Sequence, residues 1–155
     1  MQTLFSRADV IARDAAGDPV AVIEVKNREG LTPEIAAQLH RNMAAHGLIG
    51  RAPYFLLLSQ DVGYLWRERP DSPIDAPPAV RFPMGTVVER YAVGALDGKR
   101  LRELELEPLV VHWLSELSAG RPGQRGANEE PERSLAEAGL LDALRDATIE
   151  PHFLV

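Results

Sequence analysis

The chain has 155 residues, is 45% hydrophobic, carries a net charge of −6 and contains no cysteine. That length suffices for one domain with a real core. The composition leaves no route to disulfides or thiolate metal sites, and neither a membrane-spanning apolar run nor an N-terminal signal pattern is present, so a cytoplasmic location is expected. The acidic balance argues against a broad nucleic-acid-binding surface. The charge is uneven, however: eight basic residues balance eight acidic ones through Arg69, and nine face fifteen in the remainder.

Residues 1–6 are short and apolar and lead into the first strand. Residues 7–27, RADVIARDAAGDPVAVIEVKN, read as a β-hairpin. Its strands are expected at 8–13 and 20–26, joined by a turn at 14–19 that holds Gly17 and Pro19. Val20, Ala21, Val22, Ile23 and Val25 make the second strand apolar on both faces, which places it centrally in its sheet. It nevertheless ends in Glu24 and Lys26, which share a face because strand side chains alternate. A charged pair on a buried strand is costly unless it has partners or a task. Asp9, on the neighbouring antiparallel strand, is the expected partner. Two carboxylates and an ammonium would then converge at one sheet edge, an oxygen-rich donor set suited to Mg²⁺ or Mn²⁺.

After a loop at 28–31, Thr32 is a good N-cap, with Pro33 at the first helical position and Glu34 in the first turn. The helix is expected to run to about His46 and stop at Gly47. Ile35, Leu39 and Met43, flanked by Ala36, form its expected core stripe, with Gln38 and Asn42 on an adjacent one. Residues 53–59 (PYFLLLS) form a second buried strand, parallel to the first through this helical crossover. Gln60 to Gly63 make a turn, and a further strand begins at 64–66. Residues 67–83 hold five prolines and read as a loop.

A short helix is expected from Thr86, with a break at 94–98. One or two helices should follow through Leu117, Pro108 standing near a helix start. A polar, Gly- and Pro-rich linker comes next. A last helix at 134–147 is expected to open with a Ser134–Glu137 capping box, and an apolar tail at 151–155 should dock in cis or on a partner. His40 and His46 lie six residues apart and share no helix face, so they read as surface or core-edge residues. His112 and His152 read as structural, and Trp66 and Trp113 as core or interface residues.

The order and spacing Asp9 … Glu24-Val25-Lys26 resembles the PD-(D/E)XK nuclease superfamily, including the nuclease domain of type I restriction enzymes. The resemblance covers residues 8–66. The segment FLLLSQDVGYLW also resembles the strand-turn-strand that follows the catalytic helix in the type I enzymes. It implies an α/β fold: a restriction-endonuclease-like mixed sheet (antiparallel hairpin, crossover helix, parallel strand) with a helical C-terminal extension. The chain then divides into a nuclease-like core at 1–83, a helical extension at 84–118, a linker at 119–133 and a C-terminal helix and tail at 134–155.

The activity implied is metal-dependent phosphodiester hydrolysis of nucleic acid, DNA first. Asp9, Glu24 and the Val25 carbonyl would hold Mg²⁺ or Mn²⁺, whose charge offsets local acidity. Lys26 would act on the attacking water or the transition state, and Gln38 would orient water or substrate. Arg28 and Arg41 would contact phosphates; Arg51, Arg67 and Arg69 also fall in this half. Two departures stand out. Asn42 occupies a position where many members have Tyr, and no counterpart precedes Asp9 for the family's N-terminal helix, with its frequent acidic residue, or for its first strand. The chain would thus be a minimal or circularly rearranged core, a shortened one, or one that borrows elements, and a homodimer is one way to supply them. The alternative is a non-catalytic assembly module of the same fold, using the acidic helical half and tail as its interaction surface.

Overall fold

The computed structural model describes residues 8–45, 52–92, 100–120 and 128–152. The lead-in at 1–6, the helix end at His46 and Gly47, Arg51, the break at 94–98, residues 121–127 of the expected linker and the tail residues 153–155 lie outside them.

The centre is a six-stranded mixed sheet in the order β5-β4-β3-β2-β1-β6. Strands β1 (Val10–Arg13) and β2 (Pro19–Val25) form the hairpin. Its turn closes on Asp14, whose Oδ1 accepts from the Ala16 and Asp18 backbone N–H groups at 3.0 and 2.9 Å. Gly17 adopts φ +88°, open to glycine at no steric cost. Helix α1 (Pro33–Ala45) follows, with Thr32 Oγ1 accepting from the Ile35 N–H at 3.2 Å as expected of the cap. Strand β3 (Tyr54–Leu58) pairs parallel with β2, and β4 (Val62–Arg67) returns antiparallel. Hairpin, crossover helix and parallel strand therefore stand as the sequence indicates.

Three local expectations need correction. First, the proline-rich stretch is not all loop: Val80–Pro83 is strand β5, paired antiparallel with β4 at the sheet edge. An edge position is where a strand tolerates proline. Second, the last helix is two: α4 (Glu132–Glu137) and α5 (Leu140–Leu144), divided at Gly139 with φ +90°. A Cβ on Gly139 would stand 2.8 Å from the Tyr54 hydroxyl, which donates to the Ala138 carbonyl at 3.2 Å. Contact with β3 thus sets the break. Glu130, not Glu137, partners Ser134, accepting from its hydroxyl at 2.8 Å. Third, Pro108 lies inside a single helix, α3 (Glu103–Ser118), rather than at a helix start.

Between them, α2 (Gly85–Tyr91), α3, α4 and α5 cover one sheet face with a continuous apolar core centred on Trp113, Leu106 and Leu114. Strand residues Val10, Ala12, Ala21, Ile23, Val25, Leu56, Leu58, Leu65 and Phe82 contribute to it. One buried ion pair crosses this layer: Glu132, 1% exposed, accepts from Arg90 at 2.8 Å and from Trp113 Nε1 at 3.0 Å. Helix α1 covers the other face, over Val22, Phe55, Leu57, Tyr64 and Trp66. The segment before the tail then adds strand β6 (Thr148–Pro151) antiparallel to β1. Both tryptophans are core residues. No helix among the described residues is long and apolar enough to cross a membrane.

Candidate functional site

Val10 pairs with Ile23, so Asp9, one residue before β1, stands across from Glu24. Ala21, Ile23 and Val25 belong to the apolar layer of α2–α5, and Val22 to the α1 side. Alternation then turns Glu24 and Lys26 to the α1 face at the carboxyl ends of the parallel pair β2–β3. Asp9 Oδ2 accepts from the Val25 N–H at 2.9 Å, and the Lys26 N–H donates to the Leu58 carbonyl at 2.8 Å. The backbone of the Glu24-Val25-Lys26 triplet is therefore held from both sides. Asp9 and Lys26 are half-buried, and Glu24 is 8% exposed.

The carboxyl groups of Glu24 and Asp9 are close neighbours across the hairpin. Burial, then the neighbouring Asp9 carboxyl, push the Glu24 carboxyl up to about 9, while the Lys26 ammonium pulls it down. Burying two carboxyl groups side by side is costly, and a proton on Glu24 or a bound cation would offset that cost.

Past the strand ends a network of amides locks in the start of α3. Gln60, 6% exposed, receives the Leu101 N–H on Oε1 at 2.9 Å and donates Nε2 to the Leu101 carbonyl at 2.9 Å. Asn27 donates to the same carbonyl at 2.8 Å and accepts from Gln60. This clamp brings the first turns of α3 to the carboxyl pair: burial and then the Asp9 charge raise the Glu107 carboxyl, and Glu103 adds the smallest of the contributions that raise Glu24. Sequence reading missed both glutamates. They lie far from Asp9 and Glu24 in sequence, and only the buried polar pair Asn27 and Gln60 hinted at a docking point.

The other expected residues fall elsewhere. Gln38 is exposed on the α1 surface opposite Ala36, His40 and Met43, so the helix does not bring it to the carboxylates. Arg41 lies on that outer surface too. Arg28 is exposed in the loop just past Lys26, its N–H donating to the Lys26 carbonyl at 2.7 Å. The buried stripe of α1 is turned by one residue from the expected one, with Ile35 and Leu39 half-buried. His40 is 1% exposed, a core residue instead of a core-edge one. It is stacked on Trp66 at 4.4 Å and bonded to Glu68.

Among the described residues no group of three or more His, Asp or Glu side chains is arranged to hold a metal ion. Two carboxylates suit a hard cation that completes its shell with water and phosphate oxygens, as Mg²⁺ commonly does. The donor chemistry of Asp9 and Glu24 fits that partial role, since both are carboxylates placed side by side across the hairpin. Comparison of the chain with protein-family models, with curated proteins and with solved structures finds no match.

Proposed function

We propose that this protein is a metal-dependent nuclease with a restriction-endonuclease-like core, acting on DNA. The observation that carries the reading is the placement of Asp9 across the hairpin from the buried Glu24, on adjacent strands, with strand alternation turning Lys26 to the same side as Glu24. Repulsion makes such a pair costly to bury, and a bound cation would remove that cost. The position beside the Asp9 strand, expected to lack an element, is filled from the C-terminal part of the chain by β6. That placement supports a circularly rearranged core.

In this reading Asp9 and Glu24, with the Val25 carbonyl, would hold Mg²⁺ or Mn²⁺. When bound, such an ion supplies a water of lowered pKa and offsets charge on the scissile phosphate. Lys26 places an ammonium beside the same phosphate and stabilises the negative charge that builds there. Arg28 holds a flanking phosphate. Asn27 and Gln60 keep α3 in register, so that Glu103 and Glu107 bear on the site.

Incubating plasmid and single-stranded DNA with Mg²⁺ or Mn²⁺ tests the reading. Cleavage is expected to fall by about a hundredfold or more in Asp9→Ala and in Lys26→Ala. Cleavage unchanged in both variants would overturn the assignment. A second reading, a non-catalytic assembly module, draws support from Leu104, 76% exposed beside Glu103 at the start of α3. Failure to cleave any nucleic acid, with binding of a protein partner lost in Leu104→Ser, would favour it.

A further inference from the structure

At the opposite end of β3 from the carboxyl pair lies a cleft of about 380 Å³ that the proposed reaction does not use. It opens between the last turns of α1, Pro53 and the proline-rich loop. His40 forms part of its lining, stacked flat on Trp66 with an interplanar angle of 5°. Its Nε2 and Glu68 Oε1 are 2.5 Å apart, and its Nδ1 is buried without a hydrogen-bond partner among the described residues. A lone buried ion or proton-sharing pair contributes little to stability compared with apolar packing. Its evident physical effect is to hold the Glu68 carboxyl in one orientation.

Glu68 is the accessible half of that pair: its side chain is 15% exposed and, among the described residues, Oε2 carries no hydrogen bond. Arg69, next in the chain, also lines the cleft, and its guanidinium has no carboxylate partner among the described residues. Ile74 faces it with 54% of its surface exposed, one of two large apolar side chains so placed among the described residues. The loop is preorganised. Trp66 Nε1 donates to the Ala76 carbonyl at 2.9 Å, and the Arg69 N–H donates to Ser72 Oγ at 3.0 Å. A preformed wall lowers the ordering cost of binding.

A half-desolvated carboxylate, an unpaired guanidinium and an apolar wall in one small cleft select strongly among ligands. A phosphate or simple carboxylate meets Glu68, and a simple amine meets Arg69. A ligand carrying both charges as substituents of one carbon satisfies both. The geometry points to a binding site for a free apolar α-amino acid: ammonium on Glu68, carboxylate on Arg69, side chain against Ile74. The volume lies at the low end of small-ligand sites, consistent with one amino acid or a dipeptide.

Calorimetric titration of the full chain with each of the common free amino acids tests this. At least one apolar amino acid should saturate the protein below about 10 mM. Its N-acetyl and amide derivatives, each lacking one charge, should bind about tenfold or more weakly. Glu68→Gln, which keeps an acceptor for His40, should weaken the free amino acid but not its N-acetyl derivative. Arg69→Ala, at an exposed position that folding does not need, should bring the free amino acid down to the level of its amide. Absence of saturation by every amino acid, equal binding of the blocked derivatives, or affinity unchanged in Arg69→Ala would each overturn the proposal.

Discussion

The two faces of the sheet are built to different rules. Toward α2–α5, every fully buried strand residue from Val10 to Phe82 is apolar, and the one buried carboxylate of that layer among the described residues, Glu132, is matched by Arg90 and Trp113. Toward α1, the strands carry Glu24 at one end and Trp66, under His40, at the other. Both faces bury apolar area, but the α1 face also takes Glu24 and His40 out of solvent without a matching ion pair of the Glu132–Arg90 kind. The difference separates what holds the molecule together from what it has available to do chemistry with.

The comparison is tested most severely by damage to the apolar face. Trp113→Ala removes a fully buried indole and one of the hydrogen bonds to Glu132. A loss of about 3–5 kcal/mol is expected in urea unfolding at pH 7. The dependence of stability on pH between 6 and 9 should keep the wild-type slope, because the substitution leaves the Asp9 and Glu24 carboxyl groups in place. A changed slope would mean that the two faces are not independent.

Glu24→Gln should act in the reverse sense. The folded state holds the Glu24 proton up to about pH 9, whereas an ordinary Glu releases it near 4.5. Between those values the folded state binds more protons than the unfolded chain, so this group's contribution to stability falls as pH rises through the window. Gln keeps a hydrogen-bonding amide and cannot ionise. The variant should therefore lose most of the decline between pH 6 and 9 and be the more stable protein at pH 8, by an amount on the order of 1–3 kcal/mol. Denaturant midpoints across that range decide the matter. A wild-type curve that rises through neutrality would show that the carboxyl pair holds no extra proton.

Much of this division is legible in the sequence, and the illegible parts have definite causes. Continuous apolar runs at 20–25 and 54–58 identify β2 and β3, and Glu24 is conspicuous because it interrupts such a run. Strands β5 and β6 have four residues each and end in proline, too short for an alternation pattern to emerge. The rotation of α1 could not be read from its own stripe: it follows from the ring of Trp66 and the carboxylate of Glu68, which give His40 a buried partner. Likewise Gly139 looks like one weak position in a helix until Tyr54 stands against it. Pattern shows which residues are buried by their own element. Burial conferred by a distant element leaves no local trace.

Divalent cations should sharpen the contrast further. If Asp9 and Glu24 accept Mg²⁺ or Mn²⁺ in place of their proton, adding either ion near pH 7 releases protons and stabilises the fold. At a hundredfold excess over the dissociation constant the gain is about 2.7 kcal/mol. Thermal unfolding with and without the ion measures it, and Glu24→Gln should abolish most of it. Trp113→Ala should retain the full increment despite its lower baseline, since the increment belongs to the other face. An equal gain in wild type and Glu24→Gln would locate the cation elsewhere.

The smallest effect is expected where charge meets charge in the open. Arg13 on β1 and Glu150 on β6 lie 3.1 Å apart, each with about a third of its side chain exposed, 34% and 36%. Water screens such a pair and the two side chains lose freedom in making it, so Arg13→Ala should cost less than about 1 kcal/mol, and less again at high salt. Glu150 does not become a buried orphan when Arg13 is removed, which is the physical opposite of Glu24 deprived of its proton. A cost above about 2 kcal/mol would mean that β6 depends on this contact to stay paired with β1, and not on the backbone ladder that joins them.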